Sequence, residues 1–454
     1  VPNSSVPAGA RYPLTPGQLG MWFLERMSGS PVYVDPMTFR LTGALDVEAM
    51  TRALTRLRGR HEALRSIFPV VDGAPAQEVG ADTALDVPVT DLSHLPRAER
   101  ESELAALLES DARRRFDLAK GPAMRALVVH LSPAEHVLRI TLHHIVSDAW
   151  SWWNVLLPEL ASLYTAELEG GPAGLEPPTA QFSDFVNWQR AWSEGPSAKR
   201  QLDYWKQQLA GLEPLPALAA VPSPRPSGAG RAVGTRWTTV PRPVHHALQE
   251  LGRRERVTPF MLLLAAFTVV LHRGSGASDI AVGTRAALRG RPEFESAVGF
   301  FVNLLVIRTD VAGAVTFRDL LGLVRRSSLG AYAHRELPFE RVVEELRPRR
   351  RSGFQSLVNV LFSHQSTPEV PPAFPGLTAA LINHDPHTLY DLDLVFYEED
   401  GDLRALLSHD LTRHTEQQAA ALLTEITDVL TAVAQDPGIP LDTLLTTSRK
   451  HHDG

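Results

Sequence analysis

Between residues 136 and 163 the apolar spacing changes from that of a strand to that of a helix, across two histidines and an aspartate. His136 to Thr141 interleaves Val, Leu and Ile with polar residues, the pattern of a half-buried strand. Ser151 to Leu163 sets Trp152, Val155, Leu156, Leu160 and Leu163 at helical spacing. Leu142-His143-His144-Ile145-Val146-Ser147-Asp148-Ala149-Trp150 therefore forms a strand-to-helix junction. At such junctions side chains leave the sheet and backbone N–H groups lack partners. Strand neighbours point to opposite faces, so His143 and His144 serve different surroundings, one a cleft and the other the interior.

The same alternation runs along the chain. A helix starts after Thr15, with Pro16 just inside it, and Val47 to Arg60 is amphipathic. Thr90 to Phe116 contains another charged helix, and Met124 to Leu131 is a strand that can pair with 136–142 through Ser132-Pro133. Gly170 to Pro178 is a Gly/Pro break, followed by a helix pair over 181–209. A longer Pro/Gly-rich stretch across 211–234 is an ordered crossover. Beyond it come strands at 236–240, 279–283, 299–308 and 358–363 and helices at 242–254, 259–271 and 416–435. With 454 residues, two lobes of roughly 200 residues each are expected, 1–178 and 179–454. Their similar element content predicts an α/β, two-layer α+β architecture, a pseudo-dimer with a site between the halves.

Composition narrows the function classes. A net charge of -7 gives no reason to expect nucleic acid, and the sequence contains no cysteine for disulfides, thiolate metal sites or a covalent Cys intermediate. The longest apolar run, Pro259 to Leu271, is shorter than the roughly 20 residues of a membrane span. It reads as a core helix capped by Thr258 with Pro259 at the first helical position. No basic-then-apolar leader opens the sequence, and a cytoplasmic location is expected.

The dipeptide His-His also occurs at 245–246, in an amphipathic helix, and at 451–452, in the tail, so the pair alone carries little. Adjacent strand histidines diverge, and neither HExxH nor Cys/His spacing supplies further metal ligands. No GxSxG elbow presents a serine nucleophile, and Gly228, Gly230 and Gly234 miss the dinucleotide spacing. A histidine acting alone remains, as general base or as partner to a developing charge.

His143-His144-Ile145-Val146-Ser147-Asp148-Ala149 resembles the HHxxxDG signature of nonribosomal peptide synthetase condensation domains, two-lobed relatives of chloramphenicol acetyltransferase. Further signatures follow in order. Leu14 to Leu24 resembles the opening SxAQxRLW helix, and Arg60 to Phe68 resembles RHExLRTxF with Ser66 in place of Thr. Phe182 to Trp188 resembles YxDFAVW, Gly299 to Asn303 GxFVN, and Leu337 to Glu340 the PFE motif, while RDxSRNPLF survives only loosely over Ser352 to Phe362.

The resemblance implies two chloramphenicol acetyltransferase-like lobes with the active site in the cleft between them. It makes His144 the residue that orients or deprotonates the acceptor, and His143 structural. Asp148 would brace the loop by pairing with an arginine of the second lobe, matched here by Arg289, with Arg291 the nearby competitor. The Ala149 backbone N–H would donate to the tetrahedral oxyanion. Ser147, Trp150 and Asn303 are candidates to line the cleft, although Asn303 could equally satisfy strand backbone. No metal or bound cofactor is implied, because a carrier protein supplies the acyl group on its phosphopantetheine arm. The acceptor would be a small amine or alcohol, or a second carrier protein, so either amide or ester formation is open. Arg347, Arg349, Arg350 and Arg351 form the densest basic cluster, a solvated loop or a docking surface for an acidic carrier.

Two departures stand out. Ala149 occupies the family's Gly position, strained by roughly 1 kcal/mol if φ is positive there. Pro158 lacks an N–H and should kink or delay the helix after the junction. The reading is of a free-standing condensation enzyme. An epimerisation domain, a coenzyme A-dependent acyltransferase and a non-catalytic recruitment module remain the alternatives.

Overall fold

The computed structural model describes residues 7–27, 31, 33–216, 233–346, 357–366, 370–382, 388–399 and 401–446. Much of the crossover, and the whole arginine cluster Arg347, Arg349, Arg350 and Arg351, lies outside the described residues. The chain packs as two compact units, and neither is one continuous segment.

The first unit is built on a five-stranded sheet in the order Thr378–Leu381, Val34–Thr42, Glu135–His143, Met124–Ser132, Val89–Asp91. Its pairings are antiparallel except that of Val89–Asp91 with Met124–Ser132. One face is covered by the helices Val47–Arg60 and Leu157–Glu169, burying Met50, Leu54, Leu57, Leu160 and Leu163 with the strand residues Phe39, Leu138 and Ile140. On the other face Leu104, of the helix Arg97–Arg113, packs with Val129, Leu131 and Val137. Pro36 lies in the Val34–Thr42 strand without breaking it. The outer neighbour pairs with Phe39 to Thr42, so among the described residues the missing N–H falls where no strand adjoins on that side.

Three segments distant in sequence complete this unit. The helix Phe182–Ser193 belongs to it, as do 287–302 and the described 370–382. The boundary expected at 178 follows chain order, whereas packing follows apolar surface. Phe182 meets Phe301 edge-on, and Phe185 packs against both Phe294 and Phe301, which draws the helix into the first unit and moves the break to Gly195-Pro196.

The second unit carries a six-stranded mixed sheet in the order Val302–Asp310, Asp279–Ala287, Val360–Gln365, Leu392–Glu399, Asp402–Asp410, Val233–Val240. Its central helix Pro259–Ser275 is capped by the Thr258 side chain accepting from Met261 N–H, and every residue from Met261 to Leu271 is buried. That composition suits a core helix rather than a membrane span, and no single described helix is long and apolar enough to cross a membrane. The sequence pattern does not single out the hairpin Leu392–Glu399 with Asp402–Asp410, which turns at Gly401 with φ 80°.

Candidate functional site

The site forms where the Glu135–His143 strand ends. His143 ends the strand and is wholly buried against Tyr33 and Phe116. Its Nδ1 accepts from Ile145 N–H at 3.1 Å, which leaves the ring proton on Nε2, 3.8 Å from the Glu25 carboxylate. Burial holds the His143 imidazole below its ordinary pKa, against the opposing pull of Glu25. One residue later the chain turns into a short 3₁₀ segment, His144–Val146, and the His144 side chain stays 37% exposed. The Phe300 ring meets it edge-on, with centroids 5.4 Å apart. Gln18 holds the turn from beneath, its Nε2 donating to Ile145 O at 3.1 Å.

Asp148 caps the helix that follows, accepting at Oδ1 from Ser151 N–H and Ser151 Oγ–H, both at 2.7 Å. Its Oδ2 accepts from Phe301 N–H at 3.0 Å. Arg289 closes the arrangement, with Nη2 3.0 Å and 3.2 Å from the two carboxylate oxygens. Nη2 also donates to Ser151 Oγ, and Nη1 donates to Phe294 O at 2.6 Å and Ala297 O at 2.8 Å. The guanidinium lies 3.9 Å over the Phe301 ring. The Asp148 and Arg289 side chains are 2% and 3% exposed. Burial pulls the Arg289 guanidinium below its ordinary value, and the Asp148 carboxylate opposes this. Arg291, the alternative partner, sits half-exposed on Glu293 at 2.6 Å.

Arg289 does not come from the second unit. Its segment, 287–302, packs with the first, because the guanidinium and the Phe294/Phe301 pair fill the space beside Phe182 and Phe185. Gly299 is required there: a Cβ on it would lie 2.0 Å from the Phe182 ring. Gly299 and Phe301 give their backbone groups to Ser151 and Asp148, so the strand expected from 299 begins only at Val302.

Of the residues expected to line a cleft, Trp150 is 39% exposed and donates through Nε1 to Glu295 O. Ser147 does not line an open surface, being fully buried within the turn. Asn303, in the second unit, is also buried and fully engaged. Its Nδ2 donates to Arg335 O and Leu337 O, and its Oδ1 accepts from Leu304 and Phe339 N–H, which anchors the entry to the helix Phe339–Leu346. No hydrogen-bonding position of its side chain is left over.

Ala149 is exposed at the first turn of the helix, where backbone N–H groups have no intrahelical acceptor. Among the described residues only Asp72 and Arg256 are non-glycine positions at positive φ, so Ala149 carries no left-handed strain. The chain winds continuously through Pro158, but regular α-helix begins only at Leu157. Ser151–Leu156 winds as a π-helix, with Leu157 N–H donating to Trp152 O, before the α-helix Leu157–Glu169. The wider register absorbs the missing proline N–H.

Sequence reasoning missed Ser151, which ties Asp148, Arg289 and Gly299 together, and Asp35, whose Oδ2 accepts from Trp152 Nε1 at 2.7 Å and lies 3.9 Å from His144 Nδ1. Ser151 could have been found as the third helical position after an Asp cap. Asp35 gives no local signal. Among the described residues no three of His, Cys, Asp and Glu converge to hold a metal ion. A half-exposed imidazole just before a helix N-terminus, on a loop pinned by a buried ion pair, can accept a proton and steady a developing anion.

The condensation-domain family model matches residues 9–453. A linear gramicidin synthase of Brevibacillus parabrevis is 42% identical over 368 residues, covering 81% of this chain but 5% of its own length. The chondramide synthase of Chondromyces crocatus is 35% identical over 454 residues, covering 99% of this chain and 12% of its own. These curated relatives are thus many times longer than this chain. The X-domain solved in complex with OxyB from teicoplanin biosynthesis superposes with a TM-score of 0.86 at 26% identity, covering 98% of both chains. The condensation domain of monacolin K polyketide synthase superposes at 0.81 with 21% identity, covering 96% of this chain and 100% of that one, a likeness of fold.

Proposed function

The chain belongs to the condensation-domain family, and from that premise we propose that it transfers an acyl or aminoacyl group from a carrier-protein phosphopantetheine thioester to an amine or alcohol. The observation that carries this reading is the half-exposed His144 beside the wholly buried Asp148–Arg289 clamp.

A thioester is already activated, so positioning the acceptor and removing its proton account for most of the work. His144 Nε2 accepts the proton as the amine or hydroxyl attacks the thioester carbonyl. The Ala149 N–H, at the positive end of the helix, donates to the oxyanion. Collapse breaks the C–S bond, and the thiolate takes the proton back from His144. The Asp148–Arg289 pair touches no reacting atom; it sets where the loop stands.

The test loads a carrier protein with an acyl group and follows transfer to a panel of amines and alcohols. Wild type should form amide or ester, and His144→Ala should fall by about 10²- to 10⁴-fold. Equal release by both would sink the reading. Acyl-coenzyme A turning over as well as the loaded carrier would place the chain with coenzyme A-dependent transferases. The second reading, a non-catalytic docking module, is favoured by the likeness to an X-domain solved with a protein bound. Under it, wild type would bind a protein partner yet transfer nothing.

A further inference from the structure

The proposed base has two ring nitrogens, and the structure treats them differently. The His144 side chain is 37% exposed, yet its Nδ1 is sealed from solvent and makes no hydrogen bond among the described residues. Exposure therefore belongs to the edge carrying Nε2, the nitrogen able to meet an acceptor. For Nε2 to take a proton it must begin bare, which puts the ring proton on Nδ1. A sealed N–H without an acceptor is costly.

The acceptor at hand is Asp35. In the Val34–Thr42 strand, Asp35 falls in the row of Met37, Phe39 and Leu41, all of them core residues. Asp35 stands at the loop end of that row, its side chain 26% exposed. Trp152 donates to Oδ2 through Nε1 at 2.7 Å, which aims the carboxylate at the loop, and that same oxygen lies 3.9 Å from His144 Nδ1. A ring movement of about 1 Å brings the two into hydrogen-bonding range.

We infer that Asp35 is the positioning residue of the site, holding the His144 proton on Nδ1 so that Nε2 faces the acceptor as a free base. The inference rests on the condensation reading. As the acceptor's proton moves to Nε2, His144 becomes an imidazolium with its Nδ1–H on a carboxylate, and the positive charge is matched until the thiolate reclaims the proton. The proton count closes without any further group. Asp35 never touches the reacting atoms.

Asp35→Asn tests it, because the amide oxygen can still accept from Trp152 while the charge is gone. In the carrier-loaded assay kcat should fall on the order of 10²-fold with KM little changed. Nitrogen NMR of histidine-labelled protein, with the His144 signals identified by their loss in His144→Ala, should show the Nδ1–H tautomer in wild type and its loss in Asp35→Asn. Asp35→Glu, which restores a carboxylate, should recover part of both. A wild-type kcat and unchanged tautomer in Asp35→Asn would overturn the inference. So would an Nε2–H tautomer in wild type, a result independent of turnover. Should His144→Ala be as active as wild type, the condensation reading fails while the tautomer measurement still decides the pairing. An inactive His144→Ala beside a fully active Asp35→Asn removes Asp35 alone.

Discussion

Replacing Arg289 with Met keeps the aliphatic packing over Phe301 and removes the guanidinium. Asp148 would then remain 2% exposed with no counter-charge. Stranding one member of a buried pair costs about 3–5 kcal/mol. Asp148 keeps three donors, from Ser151 N–H, Ser151 Oγ and Phe301 N–H, which argues for the lower end. The carbonyls of Phe294 and Ala297 lose their donor, which adds about 1–3 kcal/mol and restores the middle of the range. The expected loss is thus about 4 kcal/mol, a large part of a typical domain's stability. Asp148→Asn, isosteric but neutral, should cost about 3 kcal/mol. If the pair is the cause, the double variant should cost at least about 1 kcal/mol less than the sum of the singles. Urea titration read by tryptophan fluorescence measures all three, with Trp150 and Trp152 beside the pair. Singles within about 1 kcal/mol of wild type, or a strictly additive double, would show that the pair carries no such energy.

Glu159 makes a second test. Burial opposes its ionisation, but hydrogen bonds from His61 at 2.8 Å and Arg60 at 2.9 Å outweigh that and hold its carboxyl down at about 2. A depressed carboxylate stabilises the fold above its unfolded value near 4.5, and that stability drains as pH falls towards about 2. The amount is on the order of 3 kcal/mol. Glu159→Gln should flatten the stability-against-pH curve across that window, and an unchanged slope would count against the bridge. Gly299→Ala should destabilise by about 1–3 kcal/mol or more, since the new methyl would lie 2.0 Å from the Phe182 ring; a wild-type melting temperature would show that the ring moves aside at no cost. Ala149→Gly should bring no gain in stability, because no positive φ is there to relieve, and a loss up to about 1 kcal/mol is expected. A raised melting temperature would contradict the negative φ.

Much of the fold is legible in local pattern. The helix Pro259–Ser275 announces itself by a Thr cap, a first-turn Pro and an apolar run, and Glu416–Gln435 by its period. The hairpin of Met124–Ser132 with Glu135–His143 follows from two strand patterns about a Ser-Pro link. The Leu392–Glu399 and Asp402–Asp410 pair is harder to see, although it too alternates and turns at a glycine. Gly299 to Phe301 reads as strand because its residues are apolar, yet its backbone groups serve side chains of the junction instead.

The junction itself divides the same way. Its strand, its loop, the opposite facing of His143 and His144 and the helix after Asp148 follow from periodicity over a few residues, which the sequence carries by itself. Long-range packing decided the rest. Asp35 reaches His144 from 109 positions earlier only because the Val34–Thr42 strand pairs with Glu135–His143, setting Val34 against His143. Arg289 reaches Asp148 from 141 positions later only because two phenylalanines beside it bury with Phe182 and Phe185. Periodicity says which face of an element is apolar. Which distant charge that face brings to a histidine depends on strand register and core packing, and these exist only once the chain has folded.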